Sequence, residues 1–252
     1  MLPLSTSFPI ASQPDRLGEG ERVMGMNKIT ENAWLLALGN ANAILLQHGG
    51  ELTLIDAGFP GKAGVVLDAI AQLGKRPTDL KHLVFTHSHP DHIGSAAAIV
   101  RATGARTYMH AVDAPLAESG GPFRPMTAAR GLVQRIAFRT VWDPNEQMEP
   151  FKIDQHIADA ETLPLAGGLH AIHVPGHDAG QLAFLWQGSR LLIAGDVFTN
   201  IFGLADPIGF EDEAEGRRSQ RKLAALQFDR AVFGHGNAIL SKASERFRRK
   251  MR

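Results

Sequence analysis

Cysteine is absent from this sequence of 252 residues. The chain can therefore form no disulfide, hold no thiolate-bound zinc or cysteine-ligated iron–sulfur cluster, and use no cysteine nucleophile. A chain without cysteine also suits a reducing compartment, and we expect a cytoplasmic location.

Long apolar runs are also missing. The longest, such as residues 96–100 and 191–194, are much shorter than the about 20 residues that a membrane-spanning helix needs. Residues 1–16 carry no early positive charge and are interrupted by prolines, which is not typical of a signal peptide. The sequence thus predicts no membrane partner.

Neither sign of charge is in excess, since Lys plus Arg and Asp plus Glu each number 26. This balance creates no overall field that would attract a polyanion, so we expect no nucleic-acid partner. The basic runs at 217–222 and 246–252 are interpreted as solvated helix faces, because acidic side chains at 211–215 directly precede the first.

Strand patterns are present in the first quarter of the chain. Three short apolar runs lie at 33–38, 42–47 and 51–56, and the dipeptides Gly39-Asn40 and Gly49-Gly50 separate them. Glycine-containing dipeptides between short apolar runs are typical of hairpin turns. The sequence therefore predicts an antiparallel meander here.

Helix patterns alternate with further strands downstream. Helical spacing of apolar residues is found at 62–74, and another helix is predicted from Gly94 to about Thr103. Because strands and helices are mixed throughout, we expect an α+β fold with mixed sheets covered by helices. We assign residues 1–24 to an extended arm and residues 25–252 to one domain.

The strongest motif is Thr-His-Ser-His-Pro-Asp-His at 86–92, directly after an apolar strand pattern. His87 and His89 are two residues apart and can point the same way, whereas Asp91 and His92 come one step later and can face a second ion. Imidazole and carboxylate without thiolate suit zinc, iron(II), manganese or cobalt. A histidine-rich surface turn is the alternative, but it leaves three downstream residues unexplained.

Those three residues also follow apolar strand patterns. His177 lies in HVPGH, Asp196 ends RLLIAGD, and His235 lies in FGHG. Binding and catalytic groups concentrate at such positions. Together with the cluster at 86–92, they predict a metal site built from all seven side chains.

From about Ala33 to Gly236, the chain resembles the metallo-β-lactamase superfamily, and it matches each ligand motif in order. The resemblance implies a four-layer αβ/βα sandwich of two mixed β-sheets flanked by helices, with the metals at one end. It further implies a first ion held by His87, His89 and His177, a second held by Asp91, His92 and His235, and a bridge formed by Asp196.

The resemblance also bears on residues outside the ligand set. Asp56 matches the family's early strand-end aspartate, which orients the metal loop. We expect His173 to be structural, His110 to be a candidate neighbour of the ligands, and Tyr108 to pack within its strand. The histidines that match no ligand motif are His48, His82, His156 and His170.

The ligand chemistry and the resemblance together imply two divalent ions, with zinc favoured over iron(II), manganese or cobalt. Two such ions that share a water lower its pKa towards about 7 and so supply hydroxide at neutral pH. Asp91 is predicted to be catalytic, because a carboxylate close to the nucleophile and the leaving group can orient the first and pass a proton to the second.

Departures from individual branches of the family narrow the substrate. Asp196 differs from the Cys or non-ligand of true β-lactamases, so antibiotic hydrolysis is not expected. Residues 173–184 resemble the glyoxalase II group, but only 17 residues follow His235, too few for that group's C-terminal helices. Acyl-homoserine lactonases share the ligands, although Phe198 and Thr199 stand near the place of their usual Tyr.

Two other branches fit less well. Persulfide dioxygenases bind one iron, whereas both His92 and His235 are present here, and tRNA-processing nucleases carry an RNA-binding arm for which the chain has no clear candidate. We therefore predict hydrolysis of a carboxylic ester, lactone or thioester in a small-molecule substrate. Phosphodiester hydrolysis by the same fold and a metal-binding scaffold without turnover remain as alternatives. The chain is also compatible with a homodimer.

Residues 111–150 and the loop 197–210 are expected to wall the substrate pocket, because they leave strand ends that carry ligands. The first is the longest connection between ligands and is predicted to be a helical lid. The alternative is a private core of this insertion, which the helical spacing of Leu132, Ile136 and Trp142 would also fit. The apolar side chains predicted for an acyl pocket are Phe123, Met126, Phe138, Trp142, Phe198, Ile201 and Phe202.

Overall fold

A computed structural model of the protein describes residues 25–252, and the arm predicted for residues 1–24 lies outside them. Within the described part, no helix is long and apolar enough to cross a membrane. The helices of this part are α1 (Ala63–Gln72), α2 (Pro90–Ile93), α3 (Ala96–Thr103), α4 (Ala114–Ser119), α5 (Leu132–Val141), α6 (Glu213–Ala224) and α7 (Ala243–Lys250).

The strands form two large sheets and one small one. In chain order they are β1 (Met26–Thr30), β2 (Ala33–Ala37), β3 (Asn42–His48), β4 (Glu51–Ile55), β5 (Leu80–Val84), β6 (Arg106–His110), β7 (Thr127–Ala128), β8 (Gln155–Ile157), β9 (Thr162–Leu163), β10 (Leu169–His173), β11 (Leu182–Trp186), β12 (Leu191–Ile193), β13 (Gly209–Phe210) and β14 (Arg230–Val232).

The first large sheet has the order β1-β2-β3-β4-β5-β6-β8. Its first four strands pair antiparallel, and the remaining strands pair parallel. The predicted meander is confirmed, with Gly49 and Gly50 at φ angles of 57° and 90° between β3 and β4. A two-residue hairpin turn of this kind needs positive φ at both positions, which favours glycine.

The second large sheet has the order β14-β12-β11-β10-β9. Strands β12 and β14 are parallel, and the other pairs are antiparallel, so both large sheets are mixed as predicted. The small sheet pairs β7 with β13 and thereby joins the insertion 111–150 to the loop 197–210.

Alternation along β3 shows how the sequence sorts the layers. Ile44 and Leu46 face the second sheet, where Phe184 of β11 packs in the same apolar cluster. Leu45 belongs to a cluster on the opposite face, together with Ile70 of α1. Successive residues of a strand point to opposite faces, so a continuous apolar run such as NAILL builds a sheet that is buried on both sides.

The outer face of the second sheet is covered in the same way. Leu223 of α6 and Phe247 of α7 pack in one cluster with Leu192 of β12 and Phe233, which follows β14. The layers are therefore helices, sheet, sheet and helices. This arrangement confirms the predicted α+β sandwich.

The predicted ligands lie at one end of this sandwich. The parallel strands β4 and β5 end just before Asp56 and His87, and the parallel strands β12 and β14 end just before Asp196 and His235. Strand β10 runs the same way as β12, because both are antiparallel to β11, and it leads to His177. Carboxyl ends of parallel strands meet at one edge, which gathers these side chains.

Helix α5 does not form the separate hydrophobic core of the insertion that its apolar spacing allowed as an alternative. Leu132 and Ile136 are 76% and 57% exposed, so their interpretation as core residues of the insertion is wrong. The helix instead turns Phe138 towards Gly209 of β13 and Trp142 towards the apolar cluster of the first sheet. The domain already offers apolar surface there, which the insertion alone could not supply.

Two of the predicted pocket residues are core residues. Phe198 is fully buried and packs against Phe247, with 4.9 Å between the ring centroids. Phe123 is buried in the cluster under the first sheet. Their assignment to a substrate pocket is therefore wrong, because aromatic rings near strand ends serve equally well as core. Phe202, at the other extreme, is fully exposed.

Candidate metal centre

All seven predicted ligands converge in the structure. Their candidate donor atoms form groups within which all atoms lie within 4.8 Å of one another. These groups are His87 with His89 and His177, His87 with His92 and Asp196, and Asp91 with His92 and His235.

The backbone after β5 explains how one short motif serves several groups. His87 and His89 lie in the segment that leaves the strand, and Pro90 begins the short helix α2. Proline suits the first helical position, since its fixed φ matches the helix and its missing N–H has no partner there anyway. Asp91 and His92 therefore lie on a helical turn and face a different side of the cluster, as predicted.

Four of the five histidines are oriented by their Nδ1 atoms, each of which has a partner in the surrounding protein. The pairs are His87 with Thr86 Oγ1 at 2.9 Å, His92 with Asp56 Oδ2 at 2.9 Å, His177 with the Gly209 carbonyl at 2.8 Å, and His235 with the Asn40 carbonyl at 2.7 Å. The Nε2 atom of each ring is left for another role.

Buried donor atoms without a partner test whether metal ions fit here. In the described part of the chain, the Nε2 atoms of His87, His92 and His177 are buried and make no hydrogen bond, and neither does Asp196 Oδ1. Leaving one such atom unpaired costs about 1–3 kcal/mol. A concentration of these atoms on one point fits divalent metal ions, for which imidazole nitrogen and carboxylate oxygen are suitable ligands.

The position of Asp196 suits a bridge between a first group, formed by His87, His89 and His177, and a second group, formed by Asp91, His92 and His235. Its Oδ2 atom lies 3.6 Å from His177 Nε2 and 3.1 Å from His235 Nε2, while its Oδ1 atom lies 3.6 Å from His92 Nε2. Asp91 lies on the second side only, with its Oδ2 atom 3.1 Å from His235 Nε2 and 3.7 Å from His92 Nε2.

The electrostatics hold His87, His89, Asp91 and Asp196 in the forms that bind metals. Burial, and then the charges of neighbouring histidines, keep the pKa of His87 well below its usual value and lower the pKa of His89 to about 3. Burial alone would raise the pKa of Asp91 and of Asp196, but the nearby histidine charges lower both. Neutral imidazole and ionised carboxylate are the required ligand forms.

The same carboxylates raise the pKa of the two histidines in the second group. Burial alone would lower the pKa of His92, yet Asp91, Asp56 and Asp196 raise it to about 9. The pKa of His235 is likewise raised well above its usual value by Asp196 and Asp91, against the effect of burial. A cluster that stabilises protonated imidazoles so strongly also stabilises cations.

Asp56 is hydrogen-bonded to the loop that carries the candidate ligands. It accepts hydrogen bonds from the Thr86 amide and the Thr86 hydroxyl, both at 2.8 Å, and it contacts His92 Nδ1. Its φ angle is 65°, in a region that Asp and Asn tolerate better than most residues. The loop 234–236 is held closely too, since a Cβ atom at Gly234 would lie 2.0 Å from Asp196 Oδ1.

His110, the predicted neighbour of the ligands, packs elsewhere. His110 stacks on His173, with ring centroids 4.3 Å apart, and makes no hydrogen bond to a predicted ligand in residues 25–252. Tyr108 is buried in β6 and contacts His82 Nδ1 through its hydroxyl at 3.0 Å, as expected for a packed strand residue.

The sequence did not reveal a group of charged residues beside His89. Asp178 Oδ2 lies 3.7 Å from His89 Nε2, and Arg124 connects Asp178 to Asp113 and Glu211. Burial alone would raise the pKa of Asp178, but its hydrogen bond with Asp113 and the charges of His89 and Arg124 lower it to about 2. The only available signal was that Asp178 directly follows a predicted ligand.

Comparisons with known proteins identify the family of the chain. A model of the metallo-beta-lactamase superfamily matches residues 36–235. The probable metallo-hydrolase YflN of Bacillus subtilis is 27% identical over 222 residues, covering 80% of this chain and 83% of that protein. A hydroxyacylglutathione hydrolase of Anaeromyxobacter dehalogenans is 30% identical over 155 residues, covering 61% of this chain and 45% of that protein.

A solved structure supports the fold. The crystal structure of the metallo-β-lactamase MIM-1 from Novosphingobium pentaromativorans superposes with a TM-score of 0.68, at 22% identity, and covers 90% of this chain and 86% of that chain. At this level of identity the likeness concerns the fold alone.

Breaking either group of ligands should remove one ion. His87→Ala takes an imidazole from the first group and His235→Ala takes one from the second, so we expect each variant to retain about one zinc ion where the wild type retains about two. Elemental analysis after gel filtration measures the content. His170→Ala, on a strand away from the centre, is the control, and unchanged zinc in both ligand variants would contradict the assignment.

Asp56→Asn should weaken both the fold and metal retention. Asparagine tolerates the same φ angle, but it replaces one acceptor oxygen by a donor, which should cost about 1–3 kcal/mol of unfolding free energy. Zinc affinity should fall about 10- to 100-fold, because His92 loses its orienting partner. Urea unfolding and chelator competition measure the two effects. Asp229→Asn, at an exposed ion pair, is the control. A loss of activity with both stability and zinc affinity intact would instead make Asp56 a direct participant in catalysis.

Proposed function

The chain belongs to the metallo-β-lactamase superfamily, and from this premise we propose that it is a hydrolase that uses two divalent metal ions to cleave a carboxylic ester, lactone or thioester. The observation that carries the proposal is the convergence of buried imidazole Nε2 atoms and a carboxylate oxygen that have no hydrogen-bond partner. A scaffold that only needed a stable fold would gain by replacing such atoms with apolar groups.

We assign the first ion to His87, His89 and His177, and the second to Asp91, His92 and His235. Asp196 would contribute to both sites, since its two oxygens face both groups. Zinc is the proposed metal because imidazole and carboxylate ligands suit it, although iron(II), manganese and cobalt have the same preferences. Bound there, the ions would supply a water of lowered pKa and positive charge for the scissile carbonyl.

Asp91 is the proposed proton-handling residue of the chain. Its carboxylate lies at the second group, its side chain is 21% exposed, and its pKa is held low by the adjacent histidines. An ionised carboxylate in this position can orient the attacking nucleophile and then transfer its proton to the leaving group. Asp196 has no such freedom, because both of its oxygens face histidines.

The ester, lactone or thioester class is supported by a relative and by the surroundings of the centre. The matching hydroxyacylglutathione hydrolase is, by its name, an enzyme that hydrolyses an acyl-glutathione. The ring of Trp142 lies against His89, with centroids 4.9 Å apart, and provides an apolar wall beside the first group. On the other side, the Asn200 amide bonds to the His235 carbonyl and leads to the exposed Phe202.

Asp91→Asn should lower kcat much more than it lowers stability. The amide cannot accept a proton at neutral pH, and general acid–base catalysis typically contributes about 10²- to 10⁴-fold. Steady-state kinetics at saturating zinc, with the metal content measured on the same sample, give the result. A variant that keeps both metals and a near-normal kcat would show that Asp91 does not handle the proton.

A panel of substrates tests the class of reaction. We expect turnover of chromogenic acyl esters, lactones or acyl thioesters and little turnover of bis-nitrophenyl phosphate. Among acyl substrates, kcat/KM should rise with chain length over several carbons, because burying one methylene contributes about 0.8 kcal/mol. Phe202→Ala should flatten this trend, and Leu132→Ala, which removes an outward-facing side chain of α5, should not. A strong preference for the phosphodiester would support the alternative activity, and no turnover of any class would support a scaffold.

A further inference from the structure

His89 differs from the other four histidines of the metal centre in how its ring is held. Each of the others has its Nδ1 atom bonded to a protein partner, whereas the ring of His89 makes no hydrogen bond in the described part of the chain. Its Nε2 atom is buried and points towards Asp178, whose Oδ2 atom is 3.7 Å away. With Nε2 turned to Asp178, Nδ1 would be the ring nitrogen that remains for a metal.

Asp178 is held in place from two sides. Its Oδ2 atom accepts a hydrogen bond from Ser88 Oγ at 2.9 Å, and its Oδ1 atom accepts one from the Gly180 amide at 2.8 Å and one from Arg124 at 2.9 Å. The side chain is almost completely buried. A carboxylate fixed in this manner costs little further entropy when it accepts one more proton donor.

Arg124 is the only contact among these that comes from the insertion 111–150. Its Nε atom donates to both carboxylate oxygens of Glu211, at 2.9 and 3.0 Å, and its Nη2 atom donates to Asp113 and Asp178. The planar guanidinium thus lies among three carboxylates and supplies the positive charge there. His89, Asp178 and Glu211 have donor atoms close enough to hold a cation, and Arg124 already fills that role.

We propose that Asp178 is the acceptor that orients His89 and that Arg124 is the positioning residue that holds Asp178 for this task. The proposal rests on the proposed metal centre. An imidazole that binds a metal through one nitrogen carries its proton on the other, and a carboxylate acceptor for that proton raises the basicity of the ligand. A contraction of less than 1 Å brings His89 Nε2 within hydrogen-bond distance of Asp178.

This arrangement makes the insertion part of the metal centre. Residues 111–150 contribute no predicted metal ligand, yet through Arg124 they support the imidazole of the first ion. Trp142, from the same insertion, packs against the His89 ring. A displacement of the insertion would therefore change the affinity of the first metal site, while the second site, whose ligands contact neither Arg124 nor Asp178 in residues 25–252, would keep its affinity.

Arg217 provides a matched control. Its side chain is 30% exposed, against 27% for that of Arg124. It likewise binds a partly buried carboxylate in bidentate fashion, with both guanidinium Nη atoms 2.7 Å from Asp206 oxygens. It makes no contact with a predicted ligand in the described residues. Replacing either arginine should destabilise the metal-free protein, whereas only Arg124 should affect zinc.

The experiment uses the full chain and zinc itself. Arg124→Gln and Asp178→Asn should each lower the zinc affinity of the first site about 10- to 100-fold in chelator competition. The affinity of the second site should stay the same. The double variant should lose little more, because the two residues act as one unit. Arg124→Lys should recover only part of the loss, since one ammonium cannot reproduce the fork. Arg217→Gln and Asp206→Asn should bind zinc as the wild type does.

A spectroscopic readout separates positioning from general destabilisation. In the cobalt(II)-loaded protein, Arg124→Gln should alter the visible absorption of the first site, and Arg217→Gln should not, even if both lose the same unfolding free energy in urea. Two outcomes overturn the inference alone: wild-type zinc affinity in Arg124→Gln, or an equal loss in Arg217→Gln. Failure of the wild type itself to bind two zinc ions would overturn the metal centre and this inference with it.

Discussion

Five strand ends bring imidazoles and carboxylates into one small buried space. Burying polar atoms without partners costs free energy, and the contacts around this space supply those partners. A buried polar atom is tolerated when it has a partner, so each ring must present one nitrogen to the protein and keep one for a metal. Asp56, Thr86, Asn40 and the backbone of β13 supply the first set of partners. The nitrogen atoms kept for metals are buried Nε2 atoms that have no hydrogen-bond partner in the described residues. Bound cations would supply the partner that each of them needs.

Much of this was predictable, because the relevant patterns are local. Hairpin glycines, apolar strand runs and the motif at 86–92 each depend on neighbours within a few residues, and the structure contains the strands, turns and helices that they indicate. Parallel strands then carry their ends to one edge, so ligands far apart in sequence meet without any further information. The role predicted for Asp56 came from the family resemblance and from its place directly after an apolar strand pattern, which the structure assigns to β4 beside β5.

What could not be predicted depends on contacts between distant segments. An arginine at 124 gives no sign that it will meet carboxylates at 113, 178 and 211, because the path of the insertion is decided by packing on the finished domain. Contacts between distant segments also decide which apolar side chains are buried. Phe198 is predicted to line a pocket but lies in the core, and Leu132 and Ile136, which fit a core by their spacing, face outward. Apolar spacing identifies a helix face but not the surface that covers it.

The most direct test of this account is the location of the metals in the protein. Crystals grown from zinc-loaded protein and measured at the zinc absorption edge should show two anomalous peaks, one among His87, His89 and His177 and one among Asp91, His92 and His235, with Asp196 between them. His89 should face its peak through Nδ1, with Nε2 directed at Asp178. A single peak, or peaks outside these groups, would contradict the assignment of a two-metal hydrolase.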